Sequence, residues 1–151
     1  MVWIANLLGW PILHLLVSKI FTDLPLRIFD PNSPLFRERR WELGGDLYSR
    51  GLRIKFWKSH LPDAAAWFRG GFPKGKILSR EPAYLERFAR ETCRGEAAHW
   101  VTLATCPIFF IWNPLWAKLV MLAYAVLANL PCICALRYNR IVIRRRLQRS
   151  S

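Results

Sequence analysis

Chemistry in this chain concentrates in Glu91-Thr92-Cys93-Arg94-Gly95-Glu96-Ala97-Ala98-His99-Trp100. Glu96 and His99 are three apart, so on a helix they share one face. The stretch sits where a basic segment runs into an apolar one. Ionisable groups at the edge of a bilayer are costly, and they read first as functional. A second set lies further on, in Asn129 and the run Arg137-Tyr138-Asn139-Arg140. Histidine is the usual general base, and a carboxylate one turn away orients it or raises its pKa. Arginine, asparagine and tyrosine can donate to a developing oxyanion. Together the two sets suit acyl transfer from a thioester to a hydroxyl, with the substrate's own hydroxyl as nucleophile. Two alternatives stay open at this point. The Glu–His–Arg set could be structural, tying a helix to the tail, and Cys93 could be a nucleophile.

Positioning these groups needs helices that cross or touch a membrane. The chain has 151 residues, a formal net charge of +13 and 53% hydrophobic residues. Charge and apolar residues are segregated. All acidic residues lie between Asp23 and Glu96, and only Lys118 interrupts the charge-free run from Ala97 to Leu136. That is the pattern of a membrane protein. A basic pI alone would favour nucleic acid, but no helix-turn-helix, zinc or RNA-binding signature accompanies it. No Walker or Rossmann glycine motif is present. The cysteines Cys93, Cys106, Cys132 and Cys134 lack metal-site spacing and read as packed free thiols.

Residues 2–21 form an apolar run of about 20 residues, about 30 Å as a helix, which matches a bilayer core. It lacks the positive start and small-residue cleavage site of a signal peptide, so it reads as a retained span. Pro11 and Gly9 predict a kink, and His14 reads as packed or partner-bonded. Residues 22–97 read as a cytoplasmic interfacial segment. Prolines and the pairs Gly44-Gly45 and Gly70-Gly71 forbid long helices in its first part. Residues 47–57 allow a short strand or hairpin, and residues 64–68 one or two helical turns. Pro82 starts a helix at its preferred first position. Residues 98–112 and 115–136 are expected to form a helical hairpin turning at Asn113-Pro114, with Asn113 capping the second helix. Residues 137–151 read as a basic cytoplasmic tail. The fold class is therefore mainly α, a single membrane domain with about three transmembrane helices.

In such a hairpin His99 lies 14 residues before Asn113 and Asn129 lies 16 after it. At the helical rise the two are level to within roughly 3 Å. An Asn and a His at one depth prefer each other to hydrocarbon. The cations predict orientation: the middle and the tail inside, the N-terminus outside, in the cell inner membrane as a multi-pass protein.

The pattern Glu91-Thr92-x-Arg94-x-Glu96-x-x-His99-Trp100, followed by Ala128-Asn129-x-Pro131 and Arg137-Tyr138-Asn139-Arg140, resembles the glycosyl-4,4'-diaponeurosporenoate acyltransferase family. The stretch Phe56-Trp57-Lys58 with Leu61-Pro62-Asp63 fits more loosely, and Gly95 stands where Ala is expected. The resemblance implies transfer of a fatty acyl chain to a sugar hydroxyl of a glycosylated carotenoid or similar glycolipid. An acyl thioester would be the co-substrate, with no bound cofactor and no metal. On this reading His99 is the base and Glu96 orients it. Asn129 and Arg137 stabilise the oxyanion, and Asn139, Tyr138, Arg140 and Trp100 bind substrate. Lys55, Lys58 and Arg94 are candidates for donor phosphates. The expected partners are membrane lipid, the glycolipid acceptor and the acyl donor, without nucleic acid; a homo-oligomer is compatible. The competing reading is a non-catalytic membrane subunit or lipid-binding adaptor, and a further one an enzyme acting on a lipid phosphate.

Overall fold

The computed structural model describes residues 2–61, 69, 71–75 and 77–150. Three long helices organise it. Helix α1 is Val2–Asp23, a single short turn α2 is Ile54–Trp57, α3 is Pro82–Ala104 and α4 is Leu115–Ser150. Two of these, α1 and α4, are long and apolar enough to cross a membrane. Their exposed leucines, isoleucines and valines fit lipid contact: Leu7, Leu8 and Ile12 on α1, Leu119, Val120 and Leu127 on α4. The residues expected as helical turns at 64–68, with Trp67 and Phe68, lie outside the described residues, as do Pro62 and Asp63.

The helices run antiparallel in register, α1 against α3 and α3 against α4. Asn6 meets Asn113, Trp10 stacks on Phe109 at 4.5 Å, and Arg94 reaches the Thr22 carbonyl. On the other seam His99 meets Asn129, Glu96 meets Arg137, and Phe88 packs with Ile143. Pro82 opens α3, as its missing N–H allows.

Several expectations are corrected. No helix begins at residue 98: α3 runs unbroken from Pro82 to Ala104, and a 3-10 turn, Cys106–Phe110, takes the chain to the hairpin bend. Pro107 has no N–H for the α ladder, which explains the switch. The tail is no loose appendage, because α4 continues to Ser150 and buries Leu136, Tyr138, Ile141 and Ile143. No strand exists among the described residues, and 47–57 is instead a π turn, Leu47–Gly51, followed by α2. That segment docks Tyr48 and Ile54 on Ala135, Tyr138 and Ile141 of α4, a helix that offers it no strand edge. Asn113 does not cap α4. The Pro114 carbonyl accepts the first N–H, from Lys118, and the Asn113 amide turns to Asn6.

Candidate active site

His99 on α3 and Asn129 on α4 share a hydrogen bond, Nδ1 to Oδ1, of 2.9 Å. Asn129 is fully buried. Its Nδ2 donates to the Ala125 carbonyl at 2.9 Å, which fixes the amide so that Oδ1 faces the ring. An amide oxygen only accepts, so the network assigns the proton to His99 Nδ1 and leaves the Nε2 lone pair open. An imidazole held this way is prepared to act as a base through Nε2. The pairing expected from level positions is present.

One to two turns toward the basic end lies a buried ionic cluster. Arg137 donates Nε and Nη2 to Glu42 at 2.8 and 2.9 Å, and Nη1 to Glu96 at 2.6 Å. Arg140 donates to the other Glu96 oxygen at 2.5 Å and to the Phe36 carbonyl at 3.1 Å. Tyr48 and the Arg39 N–H complete the shell of Glu42. Two carboxylates face two guanidinium groups, so the cluster is neutral, as burial demands. Burial pushes Glu42 upward, but Arg137, Tyr48 and Arg39 outweigh it and hold the carboxyl below its ordinary range. Burial and Glu42 together push the Tyr48 phenol up.

This geometry reassigns several residues. Glu96 does not orient His99. It is turned toward α4, where both oxygens are taken by Arg137 and Arg140, and Asn129 holds the ring instead. Arg137 is no open oxyanion donor, since Nε and both terminal nitrogens are engaged. Arg140 is likewise buried in the cluster rather than presented to a substrate. Arg94 pairs with Glu91 at 2.7 Å and faces α1, away from Lys55 and Lys58. Trp100 is half-exposed, with its ring N–H 3.4 Å from Glu96. Cys93 is completely buried and burial lifts its thiol to about 11, which removes it as a nucleophile at neutral pH.

Asn139, Tyr138, Lys55 and Lys58 do come together, in a cavity of about 770 Å³. Lys58 donates to the Asn139 side chain at 2.8 Å and lies over the Tyr138 ring.

Two residues escaped the sequence reading and a third is placed more fully than it could be from sequence. Glu42 anchors Arg137 from 95 positions away, delivered by the left-handed backbone at Leu43, Gly44 and Gly45. Lys74 lays its stem across Gly95 and stands within electrostatic reach of His99. His14 of α1, expected to be packed or partner-bonded, packs on Trp10 and stands within the same reach, with Nε2 buried and unpartnered. A helical spacing reading finds none of these contacts, because each is long-range.

A helical bundle with two helices long and apolar enough to cross a membrane, and a buried His–Asn pair where two helices meet, fits a membrane protein. The glycosyl-4,4'-diaponeurosporenoate acyltransferase family model matches residues 32–149. The chain therefore belongs to that family, and it is an acyltransferase. It is 28% identical over 131 residues to the glycosyl-4,4'-diaponeurosporenoate acyltransferase of Staphylococcus haemolyticus, covering 87% of this chain and 76% of that one. It is 26% identical over 131 residues to the protein of that name from Staphylococcus aureus strain bovine RF122, covering 87% and 79%. No solved structure matches the chain. The matched region contains His99, Asn129 and the whole ionic cluster but not α1, so Asn6 and His14 lie outside it.

Proposed function

We propose that this protein moves a fatty acyl group from a thioester to a sugar hydroxyl of a glycosylated carotenoid or similar glycolipid, with His99 Nε2 as the general base. The observation that carries this reading is the His99–Asn129 pair, whose fixed tautomer leaves a base where two helices meet. The acceptor class follows the name of the relatives.

The sugar hydroxyl gives its proton to Nε2 as its oxygen attacks the thioester carbonyl. A tetrahedral adduct forms, the C–S bond breaks, and the imidazolium returns the proton to the departing sulfur. The Asn129 oxygen stabilises the cationic ring through Nδ1–H. Glu96, Arg137, Arg140 and Glu42 act as a positioning cluster that fixes α4 against α3, so that Asn129 stays level with His99. The apolar half of α3 would be the third crossing, with the Asn113 bend outside and the arginine-rich end of α4 in the cytoplasm.

The test is mass spectrometry of lipids from cells with and without the gene. The reading expects a glycolipid heavier by one fatty acyl unit only when the gene is present. A change confined to lipid phosphate, or normal product from His99→Ala, contradicts it and favours a different enzyme or a non-catalytic subunit.

A further inference from the structure

The bundle brings a second imidazole to the depth of the first. Trp10 of α1 meets α4 at three places. Its ring N–H lies 3.3 Å from Met121 Sδ, its ring centroid lies 5.1 Å from that of Tyr124, and it packs with Ala125. Helices α1 and α4 run parallel, because each is antiparallel to α3. His14 lies four residues beyond Trp10, and Asn129 lies four beyond Ala125. One turn, about 6 Å, therefore brings His14 to the level of Asn129 and of the ring that Asn129 holds. His14 and His99 stand within electrostatic reach of each other.

The proposed transfer develops a charge that still needs a donor. When the hydroxyl oxygen attacks the thioester, the carbonyl π pair moves onto the carbonyl oxygen. A buried oxyanion needs an N–H or O–H aimed at it. Several nearby groups are already committed. Asn129 donates to the Ala125 carbonyl, Thr102 to the Ala98 carbonyl, Thr105 to the Thr102 carbonyl and Trp10 to Met121. Arg137 and Arg140 are taken up in the ionic cluster. His14 Nε2 differs, being buried without a partner. A polar nitrogen left bare among apolar side chains costs free energy until a bound group completes it.

We infer that His14 is the oxyanion donor of the transfer, its Nε2–H meeting the thioester carbonyl oxygen while His99 Nε2 takes the hydroxyl proton. This rests on the general-base reading of His99 above. The hydroxyl oxygen bonds to the carbonyl carbon as its proton goes to His99. The oxyanion accepts from His14, which keeps its own proton throughout. The carbonyl then re-forms, the C–S bond breaks, and His99 returns the proton to sulfur. A neutral imidazole suits this place because it donates without burying a charge. Helix α1 is then part of the active site, although the family match begins only at residue 32.

Nitrogen-15 NMR of the full chain in detergent should show His14 protonated at Nε2 at neutral pH. Acyl transfer is then measured in membranes holding equal amounts of folded wild-type, His14→Leu and His14→Gln protein. The donor is a long-chain fatty acyl coenzyme A and the acceptor a glycosylated carotenoid. His14→Leu removes the N–H and should lower kcat about a hundredfold or more, with KM for the thioester little changed. His14→Gln keeps an N–H near the same place and should recover a large part of that loss. The NMR result tests the inference even if His14→Leu does not fold. A bare Nε2 on His14, wild-type kcat in folded His14→Leu, a loss confined to KM, or no recovery in His14→Gln overturns it. Wild-type kcat in His14→Leu alongside loss in His99→Ala removes this inference alone. A wild-type protein that transfers no acyl group removes the proposed function and this inference with it.

Discussion

The proposed role of His99 depends on which ring nitrogen carries the proton, and Asn129 sets that from the Nδ1 side. The Asn129 Oδ1 accepts from Nδ1 because its own amide is already donating to Ala125. Nitrogen-15 NMR of the detergent-solubilised protein should show His99 protonated at Nδ1 and bare at Nε2 at neutral pH. Asn129→Leu should mix the tautomers. Glu42 gives a second prediction at this scale. Its carboxyl titrates below its ordinary value in the folded chain, so its contribution to stability is complete above the unfolded pKa, near 4.5, and fades as pH falls through the folded one. Thermal unfolding between pH 7 and 3 should show that loss. Glu42→Gln should flatten the profile and cost about 3 kcal/mol at neutral pH, since it leaves Arg137 underpaired.

Elements carry the register that makes these contacts. Trp10 stacks on Phe109, which also packs edge-on against Trp112. Gly9 lies against the same ring, and a Cβ there would come 2.9 Å from its Cε1. The ring is held on two sides and has little room to retreat. Gly9→Leu should therefore destabilise the chain by about 1–3 kcal/mol, checked by thermal unfolding. Much at this scale was readable from sequence. Apolar runs located α1 and the first part of α4, Pro82 marked the start of α3, and nearly equal distances from Asn113 placed His99 level with Asn129. The partner of Glu96 was not readable. A three-residue spacing puts Glu96 and His99 on one face, but it does not say which neighbour each will meet. Arg137 decided that from 41 positions away. Glu42 carried no local sign at all, since its role exists only once Gly44 and Gly45 turn it onto α4. The tail misled by charge: its arginines hide the spacing of Tyr138 and Ile141, which bury one face of the helix.

The whole molecule joins two zones along one axis. An amide pair, Asn6 with Asn113 at 2.9 Å, closes one end of the three helices, and the ionic cluster closes the other. His99 lies between them, on the apolar side of the cluster, and the basic cavity lies beside the cluster. That order suits the proposed transfer, in which the acyl chain and the acceptor stay in lipid. The proposed orientation makes a direct prediction. In intact cells Val2→Cys should react with a membrane-impermeant maleimide, whereas Gln148→Cys should react only after lysis. The reverse pattern would invert the topology.

The decisive measurement is the rate of acyl transfer to the glycolipid acceptor in membranes holding equal amounts of folded wild-type and His99→Ala protein. The account predicts a fall of about a hundredfold or more for the variant, with its thermal unfolding close to wild type. A folded His99→Ala protein that acylates the acceptor at the wild-type rate would contradict it.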